Sequence, residues 1–204
     1  MVYTPTNGSI RDDVKDYITY MSTNGMIANQ DLPADNPSSP NNTSDWALAM
    51  IAGTLSRTEL KMSNWDTSGI NNMYNLFRNG ASAGNTTTFN EDISSWNVSN
   101  VADMSIMFYG CAAFNQDLSN WDTNSCTNMS AMFYTATAFN QDISSWIVSG
   151  VLYTSYMFNG ATAFNQDLSN WNVSNVADMS NMFNGATAFN GTVNANNTFF
   201  AWDA

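Results

Sequence analysis

An α/β repeat solenoid of about five 25-residue repeats with terminal caps is the fold that this 204-residue sequence predicts. Three observations predict it. Trp65, Trp96, Trp121, Trp146 and Trp171 recur at spacings of 31, 25, 25 and 25 residues. The surrounding residues recur with them, in a unit that runs from Phe89 to Phe114, restarts at Phe114, Phe139 and Phe164, and ends at Phe189. Within each unit the apolar spacing changes from two to three and four, so one part reads as strand and the next as helix.

In the unit that starts at Phe89 the apolar set is Phe89, Ile93, Trp96, Val98, Val101, Met104, Met107 and Phe108. The Trp96 to Val98 step has the two-residue period of a short strand with one buried face. Met104, Met107 and Phe108 sit at i, i+3 and i+4, which predicts one or two helical turns, with Asn100 or Asp103 satisfying amides at the start and Gly110 as the stop. A corner through Phe-Asn-Gln-Asp closes the unit. The repeat core is therefore expected at Trp65, Trp96, Trp121, Trp146 and Trp171, with Phe108, Phe133, Phe158 and Phe183. A single unit cannot bury enough apolar surface to offset the entropy of ordering its backbone, so stability requires an array with covered ends.

The expected boundaries follow. Residues 1–43 form an arm, 44–62 a capping helix that opens with Ser44 and continues through Trp46, Met50 and Ile51, 63–190 the repeats, and 191–204 an aromatic cap with Phe199, Phe200 and Trp202. The first repeat carries six extra residues within the polar stretch 78–88, read as a drifted surface loop. The repeat around Trp146 is degenerate: Ile147 replaces Asn or Asp, and Thr154 stands where other repeats have Met. In the arm, Ile10, Val14, Tyr17, Ile18 and Met21 make one stripe of an amphipathic helix, and Pro33, Pro37 and Pro40 mark an extended linker. This stripe is the candidate docking surface for protein partners in a larger assembly, so that the chain is oligomeric in context. Removing 1–43 is expected to leave the repeats folded.

The chain has a formal charge of -12, and all five basic residues precede residue 79, leaving nine carboxylates and no Lys or Arg in the final 126 residues. Nucleic acid and anionic membranes are disfavoured as partners of that surface. No stretch of about 18 apolar residues predicts membrane insertion, and the start reads as unprocessed, without a charged and apolar leader or a lipid-attachment cysteine. Cys111 and Cys126 occupy Ala and Val positions of the repeat, so they read as buried thiols rather than a disulfide pair.

Asp92, Asp117, Asp142 and Asp167 share one phase in four successive repeats, beside a column of Asn90, Asn115, Asn140, Asn165 and Asn190. Amides one or two residues on are the expected partners of these carboxylates. Calcium is disfavoured, because the glycine-rich nonapeptide pattern is missing, and no other cofactor or metal is expected. Catalysis has no support in the sequence. There is no His, no nucleophile motif, no phosphate loop and no zinc-ligand cluster, and a catalytic pair would break the repeat at one place rather than recur with it. Thr137, Thr162 and Thr187 form a single column without the paired threonines of an ice-binding face.

The units F-N-Q-D-L-S-N-W-D-T-N-S-C-T-N-M-S-A-M-F from Phe114 and F-N-Q-D-L-S-N-W-N-V-S-N-V-A-D-M-S-N-M-F from Phe164 resemble the BspA-like 25-residue repeats of bacterial and mycoplasma-type surface lipoproteins, a divergent branch of the leucine-rich repeat class. The resemblance covers residues 60–193 and implies a right-handed, leucine-rich-repeat-like coil displayed on a surface for adhesion or recognition. This chain lacks the lipid-anchored cysteine of those lipoproteins. Two settings are expected from these readings together: the surface of a virion, as a phage or virus decoration or fibre component, or the extracellular face of a bacterial cell, as an adhesin domain for host protein or glycan.

Overall fold

The computed structural model describes residues 4–7, 10, 61–79 and 86–190. Most of the expected capping helix 44–62, the cap 191–204, the middle of the first-repeat loop, and Val14, Tyr17, Ile18 and Met21 lie outside the described residues.

Successive units lie one on another, joined through their backbones. The N–H groups of Met73, Asn75, Phe77 and Asn79 donate to the carbonyls of Asp103, Ser105, Met107 and Tyr109 at 2.8–3.0 Å. The same four-bond step joins 104–110 to 128–134, 129–135 to 153–159, and 154–160 to 178–184. Single parallel bridges mark the column Asn72, Asp103, Asn128, Tyr153 and Asp178. In this segment every second peptide plane stands along the stack with its N–H toward the next unit. The intervening carbonyls accept within the unit, as in Met107 N–H to Met104 and Tyr109 N–H to Ile106.

This arrangement replaces the helix expected at Met104–Phe108: among the described residues, the only regular element longer than an isolated bridge is a 3₁₀ turn at Met62–Asn64. The spacing of the three apolar residues is the same in both cases, and all three are buried. The backbone differs because Ile106 has φ 62 and its counterparts Asn75, Ala131, Tyr156 and Asn181 are also left-handed, which interrupts a right-handed helix. Gly110, with φ 74, turns the chain where an added Cβ would meet the Asn79 Cβ at 2.9 Å. The strand expected at Trp96–Val98 is also absent: these residues are irregular and lie between turns at 94–95 and 99–100.

Aromatic columns fill the interior. Phe77, Phe108, Phe133, Phe158 and Phe183 stack at centroid steps of 5.4, 5.4, 5.5 and 5.5 Å. A second column, Phe89 to Phe189, runs beside it, and partners within a unit such as Phe133 and Phe139 lie 3.9 Å apart. Four of the buried indoles also hydrogen-bond to the preceding unit: Trp96, Trp121, Trp146 and Trp171 donate Nε1–H to the carbonyls of Met62, Ile93, Leu118 and Ile143. A buried ring of this size contributes a few kcal/mol, about 1.5–3 for Phe, and an unpaired indole N–H would remove much of it. Thr154 is fully buried in the Met column, and its hydroxyl reaches the Asp178 carbonyl at 3.4 Å.

Ile10, the first residue of the arm stripe, is 1% exposed and belongs to this core. Asn7 beside it accepts the Asn71 N–H at 2.9 Å and donates to the Gly69 carbonyl at 3.4 Å. The start of the arm therefore covers the first repeat of its own chain, and Ile10 is a core residue rather than a free docking residue.

Candidate recognition surface

Three outward corners of the repeat are closed by the same device, a carboxylate or amide oxygen that accepts the N–H two residues on, except where Ile147 and Tyr153 take the second and third positions of the degenerate unit. Asp92, Asp117, Asp142 and Asp167 take the N–H of Ser94, Ser119, Ser144 and Ser169 at 2.8–3.0 Å. Asp66, Asn97, Asp122 and Asn172 do so at the second corner. Asn72, Asp103, Asn128 and Asp178 do so at the third. The Asn90 column works between units, each Oδ1 accepting the next Asn N–H at 2.7–2.9 Å.

These bonds set the local electrostatics. The Ser119 amide and hydroxyl beside Asp117 hold its carboxyl below the usual carboxylate range, against the opposing push of burial and of the Asp142 charge. The Ser144 and Ser180 amides and hydroxyls lower Asp142 and Asp178 in the same way. Among the described residues no three His, Cys, Asp or Glu side chains converge as a metal would require. Cys111 donates to the Phe77 carbonyl at 3.0 Å, and burial pushes its thiol up to about 12 and that of Cys126 up to about 11.

The arm stripe and the ring columns are the site residues that the sequence singled out. The described rings are interior apart from Phe183, which is half-buried at the end of the stack, and of the stripe only Ile10 is described. The outward feature that this reading passed over is a face of tyrosines. Every tyrosine after residue 20, namely Tyr74, Tyr109, Tyr134, Tyr153 and Tyr156, falls in the segment that carries the four-bond ladder. Tyr74, Tyr153 and Tyr156 are 39, 46 and 43% exposed. Tyr109 and Tyr134 stack at 4.4 Å with planes 5° apart, Arg78 lies 5.1 Å over the Tyr109 ring, and Tyr156 is tilted against Tyr134 at 6.5 Å. Ile147 and Leu152 are exposed in the same degenerate repeat as Tyr153 and Tyr156. The signal was present in the sequence, since aligning the repeats and reading the positions between the core residues separates these tyrosines from the Asn, Ser and Asp of the other corners.

No helix of the described residues is long and apolar enough to cross a membrane. Neither a curated protein nor a solved structure matches the chain. One family profile does, described as Mycoplasma protein of unknown function, DUF285, over residues 48–158 and again over 79–199. Overlapping placements are what a sequence that repeats itself permits. Together they span about three quarters of the chain, and on that match the protein belongs to the DUF285 family.

Proposed function

We propose that the chain is a non-enzymatic binding protein displayed on a surface, and that its stacked units are a BspA-like repeat solenoid of the leucine-rich repeat class. The observation that carries this reading is that each unit is bonded to its neighbours by ladders and ring columns, while most outward corners are closed locally by Asx turns. Such an array is a rigid platform whose outward residues are free to vary. Membership of a family described from Mycoplasma favours a bacterial cell surface as the setting, with an adhesive role toward host protein or glycan. A virion decoration or fibre protein is the second reading; the arm beyond Ile10 would then hold the protein to its particle.

Immunogold labelling with antibodies against residues 86–190 tests the proposal on intact source cells and on purified particles. Gold on the cell exterior is the expected result. Gold on particles alone establishes the second setting, and label confined to the cell interior overturns surface display.

A further inference from the structure

We infer that Asn184 is a site of spontaneous modification: its side-chain amide closes on the Gly185 backbone nitrogen and is converted to aspartate and isoaspartate, while the same Asn-Gly pair one unit earlier, Asn159 and Gly160, is protected by the stack. Asn184 reacts whether or not the chain is displayed on a surface.

The two pairs are matched in sequence. Residues 157–164 and 182–189 both read M-F-N-G-A-T-A-F. Glycine after asparagine leaves the attacking nitrogen without a neighbouring side chain and gives the backbone its widest freedom, so both pairs carry the same intrinsic reactivity. A difference in rate between them comes from the fold.

The turns are matched as well. The Ala161 and Ala186 N–H groups close them on the Phe158 and Phe183 carbonyls at 3.0 and 2.9 Å, and Gly160 and Gly185 have φ 70 and 74.

The ladder separates the pairs. The peptide between Asn159 and Gly160 is held on both sides: its carbonyl accepts the Thr135 N–H at 2.7 Å, and its N–H donates to the Asn184 carbonyl at 2.8 Å. The Asn159 Nδ2 reaches the Asn181 carbonyl at 3.5 Å. The peptide between Asn184 and Gly185 keeps only the first of these bonds, because among the described residues no carbonyl accepts the Gly185 N–H. Asn184 and Gly185 are both exposed, whereas Asn159 and Gly160 are half-buried. A peptide tied on one side at the end of a stack opens more readily than one tied on both.

Ring closure forms a bond from the Gly185 nitrogen to the Asn184 Cγ and expels the side-chain nitrogen as ammonia, which carries away the Gly185 amide proton. Water then opens the five-membered imide at either carbonyl, giving aspartate or isoaspartate. Each product adds a carboxylate to a chain of formal charge -12. Isoaspartate also reroutes the backbone through the former side-chain carbon and turns the carbonyl that receives the Gly160 N–H into a carboxylate, which alters the outermost of the four bonds joining 154–160 to 178–184.

The test incubates the full chain at pH 8 and 37 °C, natively and in urea, cleaves it at methionine with cyanogen bromide, and sequences the fragments that begin at Phe158 and Phe183 by tandem mass spectrometry. In urea the two asparagines should react at equal rates. In the native chain Asn184 should react about tenfold faster than Asn159, the factor that one backbone hydrogen bond supplies. Equal native rates, a faster Asn159, or an Asn184 that stays intact natively while it reacts in urea overturns the inference. Unequal rates in urea would trace the difference to sequence rather than to the ladder, and overturn it equally.

Discussion

The Trp146 indole donates its Nε1–H to the Leu118 carbonyl at 2.9 Å, across 28 residues of sequence and one step of the stack. Packing and hydrogen bonding are thereby joined in one side chain. The ring lies 6.3 Å from Trp121 with planes 5° apart, and its polar edge ties two units together.

Trp121→Ala removes a ring that stacks on Trp146 and an indole bond to the Ile93 carbonyl. The expected loss is about 3–5 kcal/mol in denaturant unfolding. Asn124→Ala, at an exposed corner, should stay within about 0.5 kcal/mol. Equal shifts in midpoint at the two positions would contradict the core assignment.

Ile10 is buried with the first repeat, so Ile10→Ala should destabilise by about 2–4 kcal/mol. Asn7→Ala should cost about 1 kcal/mol through its two backbone bonds. Deletion of 1–43, which on the sequence alone is expected to leave the repeats folded, is therefore expected to lower their melting temperature. A truncated chain that melts with the native one would show that this segment contributes nothing to the cap.

Asp117, Asp142 and Asp178 are lowered in the folded chain, each chiefly by a backbone amide two residues on. A lowered carboxyl stabilises fully above its unfolded value of about 3.9 and loses that contribution as pH falls through the folded value beneath it. The stability advantage of the native chain over Asp142→Asn should thus be constant above about pH 5 and shrink below about pH 4. Urea unfolding of the two proteins from pH 7 to pH 3 measures it, and an advantage that grows on acidification would contradict the assigned bonds.

Cys111 and Cys126 are buried and their thiols are raised to about 12 and about 11, so little thiolate forms near neutrality. Ellman's reagent at pH 8 should leave both untouched in the native chain and label both in denaturant. Rapid labelling of either thiol under native conditions would place it at the surface.

The repeat, its length and its interior were legible in the sequence because buried positions repeat in type: Trp, Met and Phe recur at fixed phase and all the described ones lie inside, or at the end of the stack nearly so. The closing of the corners was legible too, since Asp117 two residues before Ser119 is a local pattern. The backbone of the ladder segment was not. Met104, Met107 and Phe108 have a spacing common to a helix and to turns whose alternate amides leave the unit. Only the left-handed Ile106, which its residue type disfavours, separates the two. The tyrosines were passed over for a different reason: outward positions carry no periodic requirement, so aligned repeats mark Tyr134 and Tyr156 as outward residues, and only the structure places their rings side by side.

Deleting one unit tests the central claim, that each 25-residue period is one exchangeable step of the stack. Removing residues 115–139 joins Phe114 to Asn140 and offers the Asn90 side chain an equivalent amide, so this shortened chain should unfold in one cooperative transition, a few degrees below the native one. Removing residues 115–138 shifts every later column by one position and should abolish the transition. If both deletions fold equally well, or if the full-period deletion is unfolded, the stacked-repeat account is wrong.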